Sequence, residues 1–249
     1  MSRQISDSIP CGILLALSGG CMDAYSYLCR GHVFANAQTG NIIFLGLGIG
    51  NGDYYAALRF LWPVLAFAGG IIISDIINRR KSFLHFHWRQ ISVLIEAIAL
   101  IVALFIPSTL NNMANIIISF ACGIQIESFR KIHGHIVSTT MCVGNLRSGI
   151  FNIGEYFNTR DKSYLRQAYL YFGIIVAFVA GAFIESRLIM VMGGYGLLLS
   201  PALLIVVLII MFKNDDDKKK LEKKYSKEQI ADMLEEDVAT IEAIINELQ

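Results

Sequence analysis

The chain has 249 residues, of which 55% are hydrophobic and only 16% are charged, and its mean hydropathy is +0.54. Soluble proteins carry about 25% charged residues, yet 18 of the 41 charged residues here are concentrated in residues 213–249. Residues 1–212 are therefore too apolar for a soluble enzyme, a nucleic-acid-binding domain or a disordered chain, and they predict an integral membrane body followed by a solvated tail, residues 213–249.

Six stretches are apolar and long enough to cross a bilayer, which needs about 20 residues per helix. In chain order they are 10–29, 57–77, 91–108, 113–130, 167–187 and 193–212. Two weaker segments, 36–50 and 137–154, are short and glycine-rich or strongly polar. We interpret both as broken, re-entrant segments, with strongly tilted full crossings as the alternative. The fold class predicted is thus all-α, a polytopic membrane helix bundle.

The distribution of basic residues favours six crossings over eight, because cytoplasmic loops of membrane proteins are enriched in Lys and Arg. With six crossings, ten basic residues of the body share the side of the Lys-rich tail, and both termini are cytoplasmic. Arg30, Arg59 and Arg187 then lie on the opposite side, and Arg147 stays inside the protein. With eight crossings, only five basic residues share the side of the tail, against eight opposite.

The chain repeats one pattern at an interval of 103 or 104 residues. The tripeptide at 31–33 (Gly-His-Val) recurs at 134–136 (Gly-His-Ile), and the Gly-Asn pair at 40–41 recurs at 144–145. Each copy follows an apolar helix that contains glycine and an acid. Repetition of this kind indicates an internal duplication.

The duplication divides the body into two repeats, residues 10–108 and 113–212. Each repeat is predicted to contain a helix, a broken segment and two further helices. Three crossings per repeat would make the two halves inverted in topology. Inverted repeats with interrupted helices are typical of transporters and channels.

The residues around the repeated pairs carry a resemblance to a known family. In chain order the motifs are Gly20-Cys-Met-Asp23-Ala24, Phe34, Thr39-Gly40-Asn41, Leu45-Gly46, Gly123-Ile-Gln125, Arg130, Ser138-Thr139-Thr140 and Gly144-Asn145. Over residues 10–212 this pattern resembles the YoaK-like family of bacterial inner-membrane proteins. The resemblance implies a polytopic inner-membrane protein, often described as a permease, and it supplies no substrate. The chain departs from the family pattern at Ile126, where the family usually has Asn, and at Val143, where it usually has Thr.

Polar residues within or beside the apolar spans form the candidate binding site for a small solute or ion, because polar groups inside a membrane are costly and often functional. Asp23 is the sharpest candidate, since it could carry a proton, pair with a cation or make a structural hydrogen bond. We interpret residues 39–41 (Thr-Gly-Asn) and 143–145 (Val-Gly-Asn) as the breaks in the two polar segments, with helix packing through small residues as the alternative. The full set of candidates is Asp23, Asn36, Gln38, Thr39, Gly40, Asn41, Gln125, Glu127, Thr139, Thr140, Gly144, Asn145 and Arg147.

The charged candidates leave the sign of the substrate open. Glu127 and Arg147 could pair with each other, since an unpaired buried charge is expensive, or Arg147 could bind an anion. No cofactor and no metal are expected, because the histidine pairs His85–His87 and His133–His135 lack a further ligand at metal-like spacing. Motifs of hydrolases and ATPases are also absent from the sequence, which argues against an enzyme.

These features favour a small-solute transporter or a channel-like permease with a central polar site between two repeats. The alternative is a non-transporting membrane scaffold or sensor that signals through the tail. A capping box at 226–229 (Ser-Lys-Glu-Gln) predicts a helix there, and residues 226–249 are expected to form a short acidic hairpin. This hairpin could support self-association, dock a partner or pack on the membrane body, and its acidity argues against nucleic acid.

Overall fold

The structure is a computed structural model that describes residues 8–79, 88–132 and 134–224, with side chains up to residue 213 in the last helix. Its helices are α1 (Ile9–Cys29), α2 (Gln38–Gly50), α3 (Tyr54–Arg79), α4 (Trp88–Phe105), α5 (Asn111–Ser128), α6 (Cys142–Thr159), α7 (Lys162–Met192) and α8 (Leu199–Lys224). Single 3-10 segments at Ser108–Leu110 and Gly193–Leu198 join α4 to α5 and α7 to α8. Among the described residues, the strands are one antiparallel pair of two residues each, β1 (Lys131–Ile132) and β2 (His135–Ile136).

The described chain contains four stretches of helix that are long and apolar enough to cross a membrane. They are Ile9–Cys29, Tyr54–Arg79, Trp88–Phe105 and Lys162–Lys213. The all-α membrane character predicted from composition is thereby confirmed. Helix α5 coincides with the predicted span 113–130 but does not belong to these four, and it packs against α3 and α4 with most of its central residues buried.

The longest apolar stretch, Lys162–Lys213, contains two helices that lie against the same part of α1. The Cys21 thiol donates to the Gly181 carbonyl oxygen of α7 at 3.3 Å, and the Ser200 hydroxyl of α8 donates to the Ser18 carbonyl oxygen at 3.2 Å. Residues 18 and 21 are less than one helical turn apart, so α7 and α8 reach the same level of α1. The chain therefore reverses between them, at the 3-10 turn 193–198.

The two polar segments are helical where breaks were expected. The predicted breaks at 39–41 and 143–145 are wrong in position, because both triplets lie in the first turns of α2 and α6. The irregular backbone instead precedes these helices, at 30–37 and, outside the two short strands, at 129–130 and 137–141. Helix α2 has 13 residues and is about 20 Å long at 1.5 Å per residue, less than the roughly 30 Å bilayer core. Whether either segment re-enters the membrane stays a prediction.

Two pairs of helices approach each other to backbone contact through glycine. On α1, a Cβ atom at Gly20 would overlap the carbonyl oxygen of Phe178 on α7 and lie 2.9 Å from the next turn of that helix, at the Ala182 nitrogen. On α5, a Cβ atom at Gly123 would overlap the carbonyl oxygen of Phe67 on α3. Small residues at such crossings let membrane helices pack closely, with van der Waals contact along their backbones.

Arg30, which the charge distribution assigns to the side opposite the tail, is buried. Only 5% of the residue is exposed. Its Nε donates to the Tyr25 hydroxyl at 2.9 Å, one terminal nitrogen donates to the Ile106 carbonyl oxygen at 2.8 Å, and the other donates to the Ala103 carbonyl oxygen at 3.0 Å. These carbonyls lie at the C-terminal end of α4, where helix carbonyls lack partners and favour positive charge. Arg30 thus joins the end of α1 to the end of α4.

Helix α8 continues through the predicted boundary between body and tail at residue 212 and ends at Lys224. No change of secondary structure therefore marks that boundary. The hairpin predicted for residues 226–249 lies outside the described residues, and the division into body and tail stays a prediction.

The number of crossings can be tested by labelling single cysteines from outside intact cells. Asn51 and Ile136 are exposed and lie next to the two polar segments, and neither has the positive φ of the neighbouring Gly52 or Gly134. With six crossings, we expect a membrane-impermeant maleimide to label Asn51→Cys and to leave Ile136→Cys unlabelled. The background is a chain in which the half-buried Cys29 and Cys142 are replaced by serine.

Permeabilised cells provide the control for this labelling experiment, because both introduced cysteines should then react. With the tail in the cytoplasm, the reverse pattern in intact cells, with Ile136→Cys labelled and Asn51→Cys protected, would establish eight crossings.

Candidate functional site

The loops that precede α2 and α6 converge on the middle of α1. From the first loop, the backbone N–H of Asn36 donates to Asp23 Oδ1 at 2.7 Å, and Asn36 Nδ2 donates to the Gly19 carbonyl oxygen at 3.0 Å. From the second loop, the Thr139 carbonyl oxygen lies 3.0 Å from the position that a Cβ atom at Gly19 would occupy. The missing side chain at Gly19 therefore leaves room for the second loop, while the carbonyl oxygen of the same residue binds the first loop.

Helix α5 contributes one buried glutamine to the same region. Gln125 Nε2 donates to the Leu15 carbonyl oxygen of α1 and to Thr139 Oγ1 of the second loop, both at 3.0 Å. We call the group formed in this way the central polar cluster. Its members are all buried: Asp23, Asn36, Gln125, Thr139 and Thr140.

Two asparagines hold the loops in the same way. Asn41 accepts from the backbone N–H of Phe34 at 3.3 Å and donates to the Phe34 carbonyl oxygen at 2.8 Å. Asn145 accepts from the backbone N–H of Ser138 at 3.1 Å and donates to the Ser138 carbonyl oxygen at 2.6 Å. Gln38 Oε1 accepts a further bond from Asn41 Nδ2 at 2.8 Å. These three predicted site residues are thus occupied in shaping the loops.

The remaining predicted site residues lie outside the cluster. Thr39, Gly144 and Arg147 are exposed, and Gly40 and Glu127 are partly buried. The predicted pairing of Glu127 with Arg147 is wrong, because Glu127 Oε1 accepts from Arg130 at 3.3 Å. Arg147 follows the inward-facing Asn145 by two positions, and residues two apart on a helix point to different faces.

Two buried acids were missed as site candidates. Glu96 on α4 and Glu185 on α7 are both 0% exposed. Their carboxylate oxygens make no hydrogen bond within the described part of the chain. The signal that singles out Asp23, an acid inside an apolar span, applies equally to these two residues.

Three members of the central polar cluster retain an unused oxygen. Asn36 Oδ1, Gln125 Oε1 and Thr140 Oγ1 are buried and have no hydrogen-bond partner among the described residues. Buried polar atoms are normally paired, so such atoms indicate either a bound species or a strained site. The arrangement can therefore accept hydrogen bonds or coordinate a positive charge.

Ligands for a metal ion are not grouped within the described residues, where no three His, Cys, Asp or Glu side chains lie together. His85, His87 and His133 lie outside those residues. A separate cavity of about 350 Å³ opens where the ends of α1 and α4 meet the 193–198 turn, and its polar lining includes Tyr25, Arg30 and Ser108. None of the predicted site residues lines it.

Comparisons with known proteins identify the same family as the sequence motifs. A family profile described as "Protein of unknown function (DUF1275)" matches residues 11–211. The chain is 29% identical over 181 residues to the UPF0700 transmembrane protein YoaK of Bacillus subtilis (strain 168), and the alignment covers 69% of the chain and 79% of that protein. Solved structures provide no significant match. The resemblance inferred from the motifs is confirmed.

Proposed function

The chain belongs to the DUF1275 family and is a multi-pass integral membrane protein, and we propose that it is a small-solute transporter whose site is the central polar cluster. The observation that carries the proposal is the convergence of two irregular loops and α5 on one buried region of α1. Irregular backbone at membrane depth is tolerated where protein buries it or where it lines a cavity, and transporters place their substrates at such points.

The reciprocal packing of the helices supports the proposed two repeats. Gly20 and Gly123 are related by the 103-residue interval, and each contacts a phenylalanine carbonyl, at Phe178 and Phe67 respectively. The first helix of each half thus packs on the third helix of the other half, α1 on α7 and α5 on α3. Such an exchange is expected of two halves related by a two-fold axis.

The loops support the same proposal. Asn41 and Asn145 are 104 residues apart, as are the residues that they hold, Phe34 and Ser138. The two halves therefore present equivalent loops to the centre of the protein. Because the chemistry of the cluster differs between the halves, a site between them would be asymmetric.

We further propose that the cluster binds its solute without transforming it. Hydrolase and ATPase motifs do not accompany these residues in the sequence. Transport would then run down a gradient of the solute or of a coupled ion.

Transport can be tested with purified protein in liposomes that are loaded with alkali cations, ammonium, amino acids, sugars and carboxylates. We expect efflux of at least one solute, and we expect Asp23→Asn to lower its rate by about 10-fold, because a charged contact is worth roughly 1.5–3 kcal/mol. Asparagine keeps an oxygen for the Asn36 N–H, removes the charge and replaces the second carboxylate oxygen with an amide nitrogen.

The matched control for the transport experiment is Asp75→Asn. Asp75 is a partly exposed acid that pairs with Arg79 at 2.8 Å on α3, so its loss should leave the rate unchanged. Absence of flux across the whole panel, or equal flux in Asp23→Asn and the unmodified protein, would contradict the proposed function.

A further inference from the structure

We infer that the central polar cluster binds a small monovalent cation through oxygen atoms. The inference rests on the proposed function and names the class of ion that the site takes, whether as the solute itself or as a coupled ion. The inference is based on the hydrogen-bonding oxygens that the cluster leaves unused, together with the carboxyl group of Asp23.

The orientations of both amides follow from their partners. Asn36 Nδ2 lies 3.0 Å from the Gly19 carbonyl oxygen, and Gln125 Nε2 lies 3.0 Å from the Leu15 carbonyl oxygen. A carbonyl oxygen can only accept, so the nitrogen of each amide must face it. The amide oxygens are therefore the unused atoms, and amide oxygens can only accept a hydrogen bond or bind a cation.

The unused oxygens belong to residues that surround one turn of α1. Asn36 bonds to the carbonyl of Gly19, and Gln125 bonds to that of Leu15, four residues earlier. The Cα atom of Thr140 lies 3.5 Å from the Cβ position of Gly19. The residues that carry two unused amide oxygens and one unused hydroxyl oxygen thus contact α1 within about one helical turn, from three different segments of the chain.

The cluster contains one acidic side chain and no basic one. Asp23 is its one acid, and within the described residues it forms no ion pair. Arg30 is about two helical turns further along α1, and its nitrogens donate to Tyr25 and to carbonyl oxygens of α4. Arg147, the sequence candidate for binding an anion, is exposed on α6.

A single carboxylate among neutral oxygens matches a monovalent cation. Calcium sites use several carboxylates and six to eight oxygen ligands, and magnesium demands octahedral geometry with retained waters. Soft metals prefer thiolate or imidazole ligands. An alkali cation or ammonium needs only oxygen acceptors and one compensating charge, and unwound segments of membrane proteins coordinate such ions in this way.

The inference is tested by unfolding the purified full-length protein at constant ionic strength. N-methylglucamine supplies the salt, and Na⁺, K⁺, Li⁺ or NH₄⁺ replaces it stepwise. We expect at least one of these ions to raise the unfolding midpoint with the logarithm of its concentration above Kd, by roughly 5–10 °C at about 100 times its Kd. If none of the four ions raises the midpoint above its value in N-methylglucamine, the inference is overturned. That result would indicate that internal water occupies the same oxygens.

Two variants distinguish a loss of cation binding from a loss of folding stability. Thr140→Val removes an oxygen that has no partner among the described residues, so its midpoint without small cations should match that of the unmodified protein, while its cation affinity should fall about 10-fold. Asp23→Asn should abolish the cation-dependent rise, and Asp75→Asn should keep it. If Asp23→Asn fails to fold, the cation affinity of Thr140→Val still tests whether the cluster binds a cation. An unchanged cation affinity in Thr140→Val would overturn the inference.

The results can contradict the cation site and the transport function independently of each other. A cation-dependent midpoint that requires Asp23, without flux in liposomes, would uphold the cation site and contradict the transporter. Solute flux without any cation-dependent midpoint would uphold the transporter and overturn the cation site.

Discussion

Replacing Gly20 with alanine is expected to lower the free energy of unfolding by about 3 kcal/mol or more, at the upper end of the range for overpacked sites. The added methyl group would overlap the carbonyl oxygen of Phe178, and it would lie 2.9 Å from the backbone nitrogen of Ala182. Both atoms belong to the backbone of α7, which cannot move aside as a flexible side chain could. Helices α1 and α7 would have to separate. The close contact between Gly19 and the second loop would then be lost as well.

The measurement for Gly20→Ala is reversible unfolding in mixed micelles of a mild detergent and dodecyl sulfate. Gly173→Ala is the matched control, because it lies within α7 and has open space where its methyl group would stand. Alanine is a better helix former than glycine by about 0.5–1 kcal/mol, so the control should be neutral or slightly stabilising. Equal stabilities of Gly20→Ala and the unmodified protein would contradict the close approach of α1 to α7.

Replacing Arg30 with methionine is expected to cost about 3 kcal/mol or more of unfolding free energy. Methionine has a similar length but cannot donate, so the carbonyl oxygens of Ala103 and Ile106 and the Tyr25 hydroxyl would lose their partner. Each buried polar group left without a partner costs about 1–3 kcal/mol. The stability of Arg30→Lys should lie between that of Arg30→Met and that of the unmodified protein. One ammonium group cannot reach all of these oxygens in the geometry of a guanidinium.

Arg187→Met provides the control for the Arg30 experiment, measured by the same unfolding assay. Arg187 is exposed on α7, where it makes a long contact to the Met190 sulfur at 3.9 Å and its guanidinium lies 5.6 Å from the centre of the Phe183 ring, so its loss should change stability by less than about 1 kcal/mol. A similar small effect for Arg30→Met would show that the ends of α1 and α4 are held together by other contacts.

The helices and the membrane character of the chain could be predicted because hydropathy is a local sum over about 20 neighbouring residues. Each of the six predicted spans overlaps a helix, although the span 193–212 begins in the 3-10 turn that precedes α8. Helix α5 shows the limit of that reasoning, since it is helical and buried yet too polar to count among the four apolar stretches.

The loops could be predicted in part. The repeated Gly-Asn pairs lie close to the interruptions of regular structure, but each interruption precedes its pair. Asn41 and Asn145 bond back onto residues seven positions earlier, and the sequence does not indicate whether an asparagine bonds to its own loop or to a ligand. That choice depends on the path of the loop, which the rest of the bundle imposes.

By itself, the sequence determined that this protein is an all-α membrane protein and that its polar residues cluster near two related segments. Only the tertiary structure decided which of those residues meet. Gln125 bonds to Leu15 across 110 positions of the chain, and Arg147 turns out to be exposed. The physical reason is that hydrophobicity acts on each segment separately, whereas the satisfaction of a buried polar atom depends on partners that folding brings from distant parts of the chain.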